Sequence, residues 1–189
     1  MIKLGQIADV RMGYPFRSRV KHDPKGNVAV LQMKDIDALT LLRLNEAIRV
    51  TLPDVKDQHF IRQGDLVFRS RGSSNSVALI SAPIDGVVLA APMFLIRTHA
   101  VSPAYLQWFI NLKGTQAALS ARAEGTSVQM ISKSELEDLD VPVPSSAHQQ
   151  LIVKAADLMQ KEQSLTSEIA ARRKRMLEGI LLRSAQDTR

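Results

Sequence analysis

The chain of 189 residues contains no cysteine. Disulfide bridges, thiolate metal sites and a cysteine nucleophile are therefore excluded, and with them a secreted fold held together by disulfides. Aromatic residues make up only 4% of the chain, which leaves few rings for stacking on single-stranded bases. The sequence also lacks glycine-rich phosphate-binding motifs and the helical zinc motif of metalloproteases. The histidines are dispersed and do not have metal-ligand spacing, so neither a metal site nor an enzyme is expected; they are His22, His59, His99 and His148.

Long hydrophobic runs are missing as well. The most apolar window, GVVLAAPMFLI at 86–96, is too short to span a bilayer and contains a proline. The first residues, MIKLGQIADVRMG, lack the apolar centre of a signal peptide. The sequence therefore predicts a cytoplasmic protein.

The residues that are present predict a packed core and a basic surface. Hydrophobic residues make up 45% of the chain and charged residues 23%, which is typical of a globular domain. The formal net charge is +6, which favours a polyanionic partner. The length suits one domain, or one domain with an appendage.

Proline and glycine divide the chain into two parts. Residues 1–146 hold all eight prolines and eight of the nine glycines, and they contain short runs rich in Val, Ile, Leu and Phe. These runs predict strands at 27–33, 65–70, 76–81, 86–90 and 93–98. A helix is predicted from Pro103, with an apolar face that extends to Leu119, and a short capped helix follows Ser132. We therefore predict an α+β domain over 1–146, dominated by β structure.

The second part, residues 147–189, has no proline and predicts one long helix. Ser146 and Gln149 have the spacing of a capping box at its start. A helix over 147–183 would be roughly 55 Å long, more than a domain of this size covers, so we expect it to pair with another helix. The alternative is a helix that lies across its own domain. The predicted pairing stripe, which Glu162 and Arg172 interrupt, consists of Leu151, Ala155, Leu158, Leu165, Ile169, Met176 and Ile180.

Three stretches have the composition of a polyanion-binding surface. Basic side chains can contact phosphates, while Arg, Asn, Gln and Ser can hydrogen-bond to base edges. Each stretch also has a purely structural interpretation: a solvated loop, a hairpin, or a capped inter-helix loop. The candidates are Arg17 and Arg19 in the first stretch, Arg69, Arg71, Ser73, Ser74 and Asn75 in the second, and Thr126, Gln129 and Lys133 in the third.

The order of these segments resembles the target-recognition half of a type I restriction-modification specificity subunit. The resemblance covers nearly the whole chain. It is carried by VLQMKDID at 30–37, GDLVFRSRG at 64–72, YLQWFI at 105–110, GTSVQMISKSELEDLDVPVP at 125–144 and the start of the long helix at 149–152.

This resemblance implies a non-catalytic DNA-recognition unit. Members usually carry two recognition domains and two antiparallel helices in one chain, so that each domain contacts one half of an interrupted site. This chain has one such unit, and we therefore predict a homodimer through the long helix that recognises an interrupted palindrome in double-stranded DNA. The resemblance further implies methyltransferase subunits that bind S-adenosylmethionine, with or without a restriction subunit, and no cofactor of the chain's own.

Two other functions fit the sequence. The chain could be a coiled-coil interaction protein that modulates a full-length specificity subunit without binding DNA. It could also be a nuclease or methyltransferase with an unrecognised site, although the missing motifs argue against this class.

Overall fold

The apolar runs of the first part form short strands in the computed structural model, which describes residues 1–17, 20–36, 47–53, 55–72, 75–123 and 129–186. Helices follow the strands, so the structure confirms the predicted mixed α and β class with a long C-terminal helix. The strands are β1 (Ile2–Lys3), β2 (Ala8–Met12), β3 (Val28–Leu31), β4 (Ile48–Val50), β5 (Leu66–Phe68), β6 (Val77–Leu79), β7 (Val87–Leu89), β8 (Phe94–Thr98) and β9 (Asp140–Val141). The helices are α1 (Pro103–Asn111), α2 (Lys113–Ala121), α3 (Lys133–Glu137) and α4 (Ser146–Gln186).

The strands of the described ranges form three sheets. The largest has the order β2-β8-β5-β6 and is antiparallel throughout. A second sheet has the order β4-β3-β7, in which β3 pairs parallel with β7. The third consists of β1 and β9, which join the two ends of the first part of the chain.

The core lies between the two larger sheets. Val67 and Leu95 of the four-stranded sheet belong to the same buried cluster as Leu31 and Leu89 of the three-stranded sheet. A separate buried cluster contains Val30 and other residues of the three-stranded sheet. Burial of these side chains stabilises the fold by about 1.5–3 kcal/mol for each large residue. The sheets therefore form a rigid support for the loops that leave their ends.

The five predicted strands are present, but each is shorter than its apolar run. The run at 65–70, for example, forms a strand only at Leu66–Phe68, and Asp65 and Ser70 at the ends of the run form side-chain hydrogen bonds in the interior. The strands β1, β2 and β4 were not predicted from the sequence, and β2 includes Arg11 and Met12.

The prediction of one helix from Pro103 through Leu119 is wrong in one respect, because this segment forms two helices. The chain is extended at Leu112, with φ −61° and ψ 138°, and this residue separates α1 from α2. Asn111 accepts a hydrogen bond from the backbone N–H of Val77 (2.9 Å) and donates one to its carbonyl (2.8 Å). These bonds satisfy the outer edge of β6 and fix the chain where the helix breaks.

The predicted capping box at the start of α4 is also wrong. Ser145, and not Ser146, accepts a hydrogen bond from the backbone N–H of His148 (3.4 Å). Gln149 does not reach back to the cap. Its side chain is buried, accepts a bond from Ser102 N (2.8 Å) and donates one to the Pro144 carbonyl (2.9 Å).

The chain divides into two compact units, Met1–Gln149 and Gln150–Arg189. The boundary lies three residues beyond the predicted end of the first part. Within the described residues the second unit is the remainder of α4, a helix of 41 residues and about 60 Å. None of the helices in the described ranges is long and apolar enough to cross a membrane.

Candidate nucleic-acid interface

Strand register brings two of the predicted stretches to one end of the four-stranded sheet. Met12 of β2 pairs with Phe94 of β8, which pairs with Phe68 of β5, which pairs with Val77 of β6. The segments after β2 and between β5 and β6 therefore leave the sheet at the same end, which we call the loop end. Among the described residues, the loop end comprises Gly13–Arg17, Arg69–Gly72, Asn75–Ser76 and the adjoining Gln129–Lys133.

Backbone hydrogen bonds hold the segment between β5 and β6 in place. Arg69 N donates to the Ser76 carbonyl (3.0 Å), and Gly72 has a φ of +107°, which favours glycine. Asn75 is only 4% exposed, and its side-chain amide donates to the Arg69 carbonyl (3.2 Å). Asn75 therefore organises the loop, and this geometry does not favour the base contact that we predicted for it.

The two predicted arginines of this segment differ in exposure. Arg71 is exposed, and its Nε donates to Met130 Sδ (3.2 Å). Arg69 is half-buried, and its Nε is buried without a hydrogen-bond partner among the described residues. Ser70 lies between them, is fully buried and donates to the Pro92 carbonyl (2.7 Å).

The third predicted stretch meets the second at the loop end. Arg71 forms an antiparallel bridge with Met130, and Ile131 N donates to the Ser70 carbonyl (2.9 Å). Gln129 is exposed beside this bridge. Lys133 is exposed in the first turn of α3 and pairs with Glu137 at 3.4 Å.

The first stretch divides into a segment at the loop end and one anchored elsewhere. Arg17 is exposed and follows the Tyr14–Phe16 ring contact, whose centroids are 4.9 Å apart. Farther along, the Asp23 carboxylate accepts bonds from Thr51 Oγ1 (2.6 Å) and Lys25 N (2.9 Å). These bonds lower the pKa of Asp23, and the bond from Thr51 has the largest effect. The Thr51 bond also ties this part of the chain to the segment after β4. Four predicted residues lie outside the described ranges: Arg19, Ser73, Ser74 and Thr126.

Two residues that were not predicted from the sequence, Asn111 and Gln116, form hydrogen bonds to the backbone next to the loop end. Asn111 bonds to both the N–H and the carbonyl of Val77, as described above. Gln116 donates to the Asn75 carbonyl (2.9 Å) and the Ile110 carbonyl (2.7 Å). Both side chains come from the α1–α2 break. The only local signal was a pair of amides beside an apolar helical pattern, and this does not reveal their distant partners.

Ion pairing distinguishes the arginines of the loop end from four others of the first unit, whereas Arg49 also lacks a carboxylate partner among the described residues and donates to the Gly26 carbonyl (2.9 Å). Arg11, Arg62, Arg97 and Arg122 each have a carboxylate within 4 Å. Among the residues that the structure describes, Arg17, Arg69 and Arg71 have no such partner. Cations without internal counter-charges are suited to an anion such as a phosphate. In the same ranges, no group of three or more acidic or histidine side chains could hold a metal ion.

The predicted pairing stripe on α4 is exposed along its length. Ala155 is exposed, and each larger member of the stripe has between 49% and 66% of its surface accessible. A monomeric protein rarely exposes so large an apolar surface without a binding function. These larger members are Leu151, Leu158, Leu165, Ile169, Met176 and Ile180.

Comparisons with known proteins give one family and one fold. The model of the type I restriction modification DNA specificity domain matches residues 1–172. Comparison with curated proteins gave no match.

Three solved structures are similar to this chain. The HsdS subunit from Thermoanaerobacter tengcongensis has a TM-score of 0.63 and 19% identity over 85% of this chain and 37% of its own. A chain from a structural study of complex assembly and conformational transition in the type I R-M system has a TM-score of 0.72 and 18% identity, over 95% and 42%. The type I restriction-modification S subunit from M. genitalium has a TM-score of 0.57 and 17% identity, over 91% and 42%. The chain thus spans about two fifths of the length of these proteins.

Proposed function

The chain belongs to the type I restriction modification DNA specificity family, and from this membership we propose that its first unit recognises one half of a site in double-stranded DNA through the loop end. The unit contributes no covalent chemistry. A partner methyltransferase, which binds S-adenosylmethionine, modifies the base that recognition presents to it, with or without a restriction subunit in the complex. We place this complex in the cytoplasm with its DNA substrate.

One observation carries the proposal: arginines without internal counter-charges lie beside described backbone that hydrogen bonds hold in place. Fixed loops lose little conformational entropy on binding, so their contacts contribute more to affinity. Among the described residues, no carboxylate pairs with Arg17, Arg69 or Arg71. DNA phosphates supply the missing negative charge.

The geometry suggests different roles for the residues of the loop end. Arg71 and Gln129 are exposed beside the bridge to Met130, and their side chains suit guanine and adenine edges respectively. Arg17 and Lys133 are suited to phosphates. Arg69 is half-buried and its Nε is buried, so only its Nη groups remain candidates for a phosphate. Asn75 is assigned to loop structure, while Ser73, Ser74, Thr126 and Arg19 remain candidates for DNA contact.

Arg71→Ala tests the interface. It should weaken binding to the cognate site by about 1–3 kcal/mol if Arg71 contacts a base, because a bidentate pair is lost. The measurement is a DNA titration of the chain assembled with its methyltransferase, on a site chosen by selection from random duplexes. An equal loss on every DNA sequence would reassign Arg71 to a phosphate.

Arg62→Ala is the matched control for this experiment. Arg62 is an exposed arginine before β5, at the opposite end of the β5–β6 pair, and its partner is Asp57. Its removal should leave DNA affinity within about 0.5 kcal/mol of the wild type. Equal losses for the two variants, or no loss for Arg71→Ala, would contradict the proposed interface.

We further propose that two copies pair through α4 and that the site is an interrupted palindrome. A twofold dimer presents the same unit to both half-sites in opposite orientations. The exposed stripe on α4 supports the pairing, because burial of its side chains would offset the cost of association.

Leu158→Glu tests the pairing. Light scattering should give the mass of a dimer for the wild type and of a monomer for this variant, because a carboxylate in the interface is desolvated without a partner. Ser164→Glu is the control, since Ser164 is exposed and lies off the stripe. A wild-type monomer would contradict the homodimer.

A second candidate function rests on the same exposed stripe. The helix could pair with that of a full-length specificity subunit and modulate it without contacting DNA. Tight binding to such a subunit, together with no DNA affinity in any assembly, would favour this function over the first.

A further inference from the structure

The stripe on α4 is interrupted by two charges of opposite sign. Glu162 and Arg172 occupy the same helical face as Leu158, Leu165 and Ile169, at the alternating three- and four-residue spacing of a coiled-coil seam. Both charged residues are exposed. Arg172 bonds to Glu168 of its own helix, while Glu162 has no ion-pair or hydrogen-bond partner among the described residues. A partner helix that covers the stripe must therefore accommodate both charges.

The signs of these charges decide the direction of pairing between two copies. A parallel twofold pair places every seam residue against its own copy, so that Glu162 would face Glu162 and Arg172 would face Arg172. Like charges in a half-buried seam are destabilising. In an antiparallel pair, residues that precede the twofold axis face residues that follow it, and the two unlike charges can meet.

We propose that α4 pairs with a second copy of this chain in a single antiparallel register, in which Glu162 of each copy faces Arg172 of the other. This inference rests on the proposed homodimer and adds its register. The twofold axis then lies level with Ser167, midway between the two charged residues. Each dimer contains two such ion pairs, one on each side of the axis.

The seam residues between Ala155 and Gly179 are matched in this register, while Leu151 faces Arg183 at the outer end of the seam. Leu165 faces Ile169 of the second copy on either side of the axis, and Leu158 faces Met176 one layer beyond the charged layer. Ala155 then faces Gly179, and two small residues allow the helices to approach closely. Apolar layers thus flank each ion pair, which reduces its exposure to water.

Shifts of one heptad lose this match. In one direction Glu162 faces Leu165 of the second copy and Arg172 faces Ala155; in the other, Glu162 faces Gly179 and Arg172 faces Ile169. Each shift desolvates both charges without a counter-charge, which costs more than any apolar layer gains.

The contacts between charged residues along the exposed edges of the seam are less favourable in the proposed register. Lys161 lies near Arg175 of the second copy, and the two copies of Glu168 lie near each other. Solvent screens such pairs, and Glu168 already pairs with Arg172 of its own helix. The half-buried charges of the seam therefore outweigh those of the edges.

The register also fixes a distance. Gln149, the last residue of the first unit, would be separated from its own copy by about 54 Å along the paired helices at 1.5 Å per residue. This length equals roughly 16 base pairs of duplex at 3.4 Å each. A shift of one heptad would change it by about 10 Å, so the two charges would also determine which half-site spacing the dimer accommodates.

Charge reversal tests the register. Glu162→Lys alone places Lys against Arg, and Arg172→Glu alone places Glu against Glu, so each variant should dimerise more weakly by about 30-fold or more. When the two variants are mixed, both layers of the heterodimer contain unlike charges. Dissociation constants from sedimentation should return to within about threefold of the wild type for the mixture only.

Glu178→Lys is the matched control. Glu178 is exposed, pairs with Lys174 in the same i,i+4 manner as Glu168 pairs with Arg172, and lies off the seam. Its reversal should leave dimerisation unchanged within about threefold. Weakening as large as that of Glu162→Lys would show a general charge effect and overturn the register.

Cysteine cross-linking provides a second readout, because the chain has no cysteine of its own. Ala155→Cys and Gly179→Cys chains should form a disulfide-linked dimer when mixed, while neither should do so alone. A wild-type dimer that gives neither charge rescue nor this cross-link overturns the register and leaves the homodimer intact. A wild-type monomer overturns the homodimer and the register with it.

Discussion

The buried ion pair between Asp65 and Arg97 gives the sharpest prediction about what holds the first unit together. Arg97 donates to both carboxylate oxygens of Asp65 at 2.7 Å, and Arg62 N donates to the same carboxylate at 2.7 Å. Asp65 is 2% exposed. Its hydrogen bonds, more than any other interaction, raise the pKa of Arg97 above its ordinary value, so the guanidinium stays charged. Asp65→Asn preserves the shape of the side chain and removes its charge.

We expect Asp65→Asn to lower the free energy of unfolding by about 2–4 kcal/mol. Removing one partner of a buried pair typically costs 3–5 kcal/mol, because the other charge remains desolvated. The lower range applies here because the Arg97 side chain is 27% exposed, so water partly solvates it. For a unit of about 150 residues this loss corresponds to a decrease in Tm of roughly 5–15 °C.

Urea unfolding followed by the fluorescence of Trp108, the single tryptophan, measures the effect. Asp57→Asn is the control, because the Asp57–Arg62 pair is solvent-exposed on both sides and should contribute at most about 1 kcal/mol. Adding Arg97→Met to Asp65→Asn should recover part of the loss, since no unpaired charge is then buried. Losses from Asp65→Asn and Asp57→Asn that agree within about 0.5 kcal/mol would refute the reasoning.

Two further predictions concern packing and pH. Gly13→Ala should lower the free energy of unfolding by about 1–3 kcal/mol, because its Cβ would lie 2.7 Å from the Leu89 carbonyl oxygen. Gly114→Ala in α2 is the control and should not destabilise the protein, because its Cβ meets nothing within 4 Å. Equal losses of the two variants in urea unfolding would contradict this prediction. Burial raises the pKa of Tyr105 above its usual 10.0, so the stability that this group contributes is complete below pH 10 and is lost as pH rises through the folded-state pKa. In Tyr14→Phe, which leaves Tyr105 as the only tyrosine, phenolate absorbance should therefore appear only with unfolding, and a folded phenolate near pH 10 would contradict the prediction.

Local sequence predicted the strands that carry their own signals. The runs that became β3, β7 and β8 are rich in Val, Leu and Ile and end at turn-forming residues, so each strand is encoded within a few positions. Pairing between distant segments has no such signal. Ile2 pairs with Val141 across nearly the whole first unit, and two-residue strands of this kind are too short for a recognisable pattern.

The helix break and the cap were missed for the same reason. Apolar spacing across 105–119 fits one helix, and nothing near Asn111 indicates that its amide bonds to Val77, 34 positions away. Gln149 likewise satisfies the local rule for a capping box but bonds to Ser102 instead. In both cases a tertiary hydrogen bond to a buried backbone group outweighs a local preference, because leaving that group unsatisfied costs about 1–3 kcal/mol.

Sequence composition identified the stretches of the candidate interface but not their arrangement. The bridge between Arg71 and Met130 joins two stretches that were predicted separately. Asn75 had the right chemistry for a base contact, yet it is needed inside the loop that presents Arg71. Which arginines are neutralised within the fold also depends on partners far along the chain, as Arg97 and Asp65 show.

The two proposals are connected because both concern charged side chains that have no counter-charge within their own unit. In the first unit, a cation with a carboxylate beside it stabilises the fold, and a cation without one is available to an anion from outside. On α4, Glu162 likewise has no partner among the described residues, and it lies on a face whose exposed apolar side chains need to be covered. The counter-charge for the loop end would be repeated along a polyanion, whereas in the proposed register the counter-charge for Glu162 would lie on the same face of an identical helix. Increasing salt should therefore weaken DNA binding steeply, since each counterion that binding releases adds to the salt dependence of the affinity. Salt should weaken dimerisation much less, because the apolar layers of the seam would contribute most of its free energy.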